Sequence, residues 1–145
     1  MRFSLAADEL TGVAAGLEAA LRERGHEVGV RHGALAEGEP GGWGWASEAA
    51  ARDVAEGRTE QAVVCCWTGT GASIAANKVG GVRAALCADA ATADGARRWN
   101  DAKVLVLSLR TTSPALLGEM LDAWLAATPS EDVDDRANVE HLDAI

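Results

Sequence analysis

The 145-residue chain contains no tyrosine, one phenylalanine and only two lysines. Cations are scarce in general: Lys and Arg total 13 against 22 Asp and Glu, for a formal net charge of -9. That balance excludes non-specific nucleic-acid binding, which needs basic surface to displace counterions. It also makes any anion site a local matter, because the overall field repels phosphates. No apolar run approaches the ~20 residues that cross a bilayer. No basic segment followed by an apolar stretch opens the chain, so neither a membrane span nor a signal peptide is expected. Cysteine is limited to Cys65, Cys66 and Cys87. An odd number without framework spacing fits a reducing compartment, so a cytoplasmic location is expected. Adjacent Cys65 and Cys66 lack the spaced partners of a zinc knuckle, and neither a metal nor a cofactor is expected.

What the chain does have is an ordinary apolar content of 48% and a regular alternation of patterns. The length and composition fit one domain over residues 1–145 with a buried core. "RFSLAA", "HEVGV", "QAVVCC", "VRAALC" and "KVLVLS" read as strands. Between them lie amphipathic stretches: a helix from about Glu9 to Arg24, "WASEAAARDVAEG", "GASIAANKV" and a poor, short "DAATADGARRW". "SPALLGEMLDAWLAA" follows, with Ser113 as cap and Pro114 in the first turn, and "DVDDRANVEHLDAI" closes the chain. Alternating strands and helices, with strands apolar throughout, predict a Rossmann-like three-layer α/β/α sandwich around a five-stranded parallel sheet.

Ligands of such folds bind outside the carboxyl ends of the strands. Three places come under suspicion: Asp8 after the first strand, Cys66 to Gly71 after the third, and the turn around Asn100 before the fifth. In "CWTGTG" the glycines permit a tight turn, and the following helix offers unpaired N–H groups to an anion or a developing oxyanion. A thiol beside a helix N-terminus can serve as base or nucleophile. On spacing alone, a buried cysteine followed by an ordinary turn is the favoured reading, because a Gly-rich turn by itself is a weak signal.

The stretch from Cys66 to Ala84, "CWTGTGASIAANKVGGVRA", resembles the signature of the ribose-5-phosphate isomerase B family, which includes the galactose-6-phosphate isomerase subunits. "WNDAKVLVLSLR" and "AAD" at the end of the first strand resemble two further family segments. The resemblance implies interconversion of aldose and ketose phosphates through an enediolate. It implies that Cys66 moves a proton between C1 and C2, and that Asp8 assists ring opening. Thr68, with Thr70 and the backbone around Gly69 and Gly71, would hold the sugar, and Asn100 would complete the anion hole. Arg110 matches the family's arginine after the fifth strand and is the best remaining phosphate ligand. Family members are dimers or tetramers whose sites are shared between subunits.

The departures matter as much. Trp67 stands where the family has glycine, Trp99 where it has histidine, and Glu9 where it has a second histidine. The family's basic tail has become acidic, with Glu131, Asp132, Asp134 and Asp135, and only Arg136 and His141 near the expected cations. A phosphate needs charge-assisted donors, so this change weakens its binding unless other groups compensate. Trp67 and Trp99 are read as lining the site, Trp124 as packing, and Trp43 and Trp45 as bordering the site. His26 and His32 are read as solvated surface residues. Two alternatives stand beside the isomerase: an isomerase for a non-standard or unphosphorylated sugar, and a binding homologue that has lost its chemistry.

Overall fold

The apolar runs pair as five parallel strands in the computed structural model, which describes residues 1–145. They are β1 (Arg2–Ala7), β2 (Glu27–Gly33), β3 (Gln61–Cys66), β4 (Ala84–Leu86) and β5 (Val104–Ser108), in the order β2-β1-β3-β5-β4. The helices are α1 (Leu17–Arg22), α2 (Trp43–Ala55), α3 (Thr70–Asn77), α4 (Ala90–Asn100), α5 (Pro114–Ala126) and α6 (Val133–Ala144). Side chains alternate across each strand, so both faces of the sheet must be covered. Leu5, Val63, Cys65, Leu105 and Leu107 pack on one face with Leu17, Leu21, Met120 and Leu121 of α1 and α5. Ala6, Val64, Cys66 and Val106 pack on the other with Ala50, Ala72 and Ala76 of α2 and α3. The result is the expected three-layer sandwich. Trp124 is buried among the first group, and its indole N–H donates to Gln61 Oε1 at 2.7 Å. That bond gives the one polar atom of a core tryptophan its partner.

Two helices and one histidine differ from their sequence readings. The helix expected over Glu9 to Arg24 is reduced to one 3-10 turn, Ala14–Gly16, and the six residues of α1. Gly12 adopts a left-handed φ of 55° against the Leu109 carbonyl, which breaks the helix before it starts. Conversely, the stretch read as a poor helix forms all 11 residues of α4. Asp89 caps it by accepting from the Thr92 N–H at 2.7 Å, and buried Arg97 anchors it through Asp101 and the Ala102 carbonyl. Tertiary contacts override weak propensity there. His32, read as solvated, is only 8% exposed and lies between two carboxylates.

A fourth difference concerns the site. A turn that precedes a parallel strand lies at its amino end, so Asn100 cannot share an edge with Cys66 of its own chain. Arg83, the residue before β4, donates to the Asn100 carbonyl at 2.9 Å and so marks that end. Trp99 and Asn100 therefore sit about one strand length, ~16 Å, from the carboxyl ends.

Candidate active site

The carboxyl ends of β1, β3 and β5 lie side by side. The β1–β3 register runs to Ala7 opposite Cys65, and the β3–β5 register to Cys66 opposite Ser108. Asp8, one residue beyond β1, is therefore next to Cys66 on one side, and Ser108 flanks it on the other. The two adjacent thiols part company here. Alternation sends Cys65 into the core with α1 and α5, and Cys66 to the α2–α3 side. Burial, reinforced by Asp8 and Cys66 nearby, pushes the Cys65 thiol up to about 12, so it stays protonated and inert. Cys66 is the thiol at the strand end, beside the turn.

That turn is pinned from β5. The Cys66 carbonyl accepts from the Leu109 N–H at 3.0 Å. The Trp67 carbonyl accepts twice, from the Arg110 N–H at 2.9 Å and from Ser108 Oγ at 3.0 Å. With these carbonyls engaged, the chain reverses at Gly69, whose φ of 78° suits glycine and whose would-be Cβ meets Leu86 and the Leu107 carbonyl. The amides of Thr70, Gly71 and Ala72 then open α3 without an intramolecular acceptor. Such a helix N-terminus is suited to an anion. The Thr68 and Thr70 hydroxyls lie 2.8 Å apart at its mouth. Gly71 is needed for a second reason: the Trp43 ring lies 2.8 Å from where its Cβ would be.

Asp8 is the unusual acid. Its Oδ1 is buried without any hydrogen-bond partner. Desolvation, then the charge of Glu9, raises its carboxyl above the ordinary range. A buried carboxyl oxygen with no partner is costly, and a ligand hydroxyl in the site would satisfy it. The structure thus brings together Asp8, Cys66, Thr68, Gly69, Thr70 and Gly71, with the exposed Arg110 on the β5 side of the same turn. It does not bring Trp99 and Asn100 to them within one chain. Trp67 is 51% exposed beside Cys66, and Trp99 is 56% exposed across Gly95 of α4. Ser108 was not among the residues singled out from sequence. Only the strand register reveals that it flanks Cys66.

An open cleft of about 740 Å³ lies elsewhere, between α2 and α3, lined by Trp43, Trp45, Ile74, Lys78 and Val79 among others. It contains neither the thiol nor the unpartnered carboxyl. Chemistry therefore points to the strand ends rather than to the roomier groove.

The fold agrees with comparisons to known proteins. A family described as Ribose/Galactose Isomerase matches residues 5–142. D-erythrulose-4-phosphate isomerase of Pectobacterium atrosepticum is 42% identical over 77 residues, 53% of this chain and 51% of that protein. Ribose-5-phosphate isomerase B of Escherichia coli is 40% identical over 74 residues, 51% of this chain and 50% of that one. The chain thus spans about half the length of the curated relatives it matches. Among solved structures, ribose-5-phosphate isomerase B of Clostridium thermocellum superimposes with a TM-score of 0.88 at 29% identity, covering 99% of this chain and 96% of that one. The Mycoplasma genitalium enzyme with bound ribulose-5-phosphate gives 0.86 at 25% identity, covering 99% and 94%.

Proposed function

The chain belongs to the ribose/galactose isomerase family, and from that premise we propose that it interconverts an aldose phosphate and its ketose through a cis-enediolate. The observation that carries this reading is the meeting of Cys66, the unpartnered Asp8 carboxyl and the free amides of Thr70 to Ala72 at one edge of the sheet. Asp8, whose raised carboxyl keeps its proton to higher pH, assists opening of the sugar ring. The Cys66 thiolate then removes the proton from C2 of the open aldose and returns it to C1. Meanwhile the proton on the C2 hydroxyl passes to the oxygen on C1. The negative charge of the enediolate is met by amides already aimed at it, with Thr68 and Thr70 beside them. Arg110 holds the phosphate. Three free cysteines support action in a reducing cytoplasm.

Asn100 enters this scheme only from a second subunit. A two-fold dimer brings the amino-end edge of one chain to the carboxyl-end edge of the other, and does so twice by symmetry. The exposed Trp43, Trp45, Trp67 and Ile74 near α2 and α3 support an interface there. The test is turnover of ribose 5-phosphate, allose 6-phosphate and erythrulose 4-phosphate by the wild type and by Cys65→Ala and Cys66→Ala. Loss confined to Cys66→Ala supports the scheme, and activity retained by that variant removes it.

A second reading has its own support in the acidic 131–135 segment and the exposed Trp67 where the family has glycine. It assigns the site to a non-standard or unphosphorylated sugar. Thermal stabilisation by ribose 5-phosphate, but not by unphosphorylated aldoses, would reject it.

A further inference from the structure

Residues 34–42 join β2 to α2 and end beside the candidate site, because Trp43 opens α2 and lays its ring against Gly71. The linker carries Gly38, Pro40, Gly41 and Gly42. Backbone hydrogen bonds hold only its first turn, from Ala34 to the Ala7 carbonyl, Leu35 to His32 and Ala36 to Gly33. From Glu37 to Gly41 the backbone makes none. One side-chain hydrogen bond ties that stretch to the body of the protein: Glu39 Oε2 lies 2.8 Å from His32 Nδ1.

The other ring nitrogen of His32 lies 2.7 Å from Asp53 Oδ2 on α2. Asp53 is 2% exposed and also accepts from Ser4 Oγ and Arg58 Nε, both at 2.6 Å. Glu39, Asp53 and, behind Asp53, Arg58 are the charged groups that face the ring. An imidazole donates to two carboxylates only when both nitrogens carry protons. A neutral ring donates to one and turns a lone pair toward the other. Asp53 is fixed by two further donors and cannot move away. The Glu39 side chain is partly exposed and has water available, so it is the partner that leaves.

We propose that His32 is a positioning residue: in its doubly protonated form it latches the 34–42 linker through Glu39 and so seats Trp43 on Gly71, and in its neutral form it releases them. The latch stands on the linker geometry alone. Its effect on turnover rests on the isomerase reading.

The test uses the full chain and needs no substrate. Amide order of Gly38, Gly41 and Gly42 is followed by ¹⁵N relaxation from about pH 5.5 to about pH 9, the span that brackets imidazole titration. The contact between the Trp43 ring and the Gly71 α-protons is followed by NOE. In the wild type, linker order and that NOE are lost together as pH rises. In Glu39→Ala, which removes an exposed side chain, the linker is mobile at every pH. A wild-type linker unchanged across the range, or the same pH response in Glu39→Ala, overturns the proposal. Both readings hold in a protein without turnover, so failure of the isomerase assignment remains distinguishable. If that assignment holds, wild type and Glu39→Ala differ in KM at low pH and converge at high pH.

Discussion

At the scale of single residues, the sequence already displayed the thiol, the hydroxyls and the glycines of the candidate site, because their spacing after an apolar run marks a strand-to-helix turn. It could not say that Ser108 flanks Cys66, since register is a long-range property, nor that His32 is buried between carboxylates from two other segments. It did not separate Cys65 from Cys66 energetically either. The structure does so, and predicts that iodoacetamide at pH 8 leaves Cys65 unmodified in the native protein, as peptide mass mapping would show, because its thiol stays protonated up to about 12. Gly71→Ala should lower stability by about 1–3 kcal/mol through collision with the Trp43 ring. In a Trp43→Ala background the same change should be neutral or stabilising by up to about 1 kcal/mol, since alanine is the better helix former. Chemical denaturation of the four proteins checks both numbers. Asp53 gives a pH dependence. Burial alone would raise its carboxyl, but donors Ser4, His32 and Arg58 outweigh burial and hold it below the ordinary value. A group depressed in the folded state contributes stability that is present above its unfolded value, near 4, and lost as pH falls through the folded value. Asp53→Asn should therefore be less stable than wild type at neutral pH, and the gap should narrow in acid melts.

At the scale of elements, legibility followed local chemistry. β3, whose bounds match the apolar run "QAVVCC", and α5, with its cap and proline, were plain in the sequence. The Ser113 side chain accepts from the Leu116 N–H at 3.1 Å as the cap pattern predicts. Ser113→Ala should cost about 1 kcal/mol, seen as a fall of roughly 2–4 °C in Tm. α1 was overread because its apolar periodicity runs through Gly12 and Gly16, and only the tertiary fit of Gly12 against Leu109 decides where the helix begins. α4 was underread for the opposite reason, since its Arg97 is held by Asp101 and Trp124, which lie outside the helix.

At the scale of the whole molecule, the parallel topology separates two groups of residues that the family resemblance unites. Cys66 and Asn100 lie at opposite strand ends of one sheet, so the proposed site, with Asn100 in it, calls for two chains. Mixing Cys66→Ala with Asn100→Ala should restore activity that neither variant shows alone, to roughly one quarter of the sites for random pairing in a two-fold dimer. Absence of any restoration would mean that each chain works with its own edge only. The account as a whole rests on proton transfer at Cys66. Its most direct test is NMR in D₂O with ribose 5-phosphate, allose 6-phosphate and a set of unphosphorylated aldoses, comparing wild type with Cys66→Ala. Deuterium appearing at C2 of one of these sugars with the wild type, and not with the variant, is the predicted result. Exchange that persists in Cys66→Ala, or no exchange with any sugar by the wild type, would contradict it.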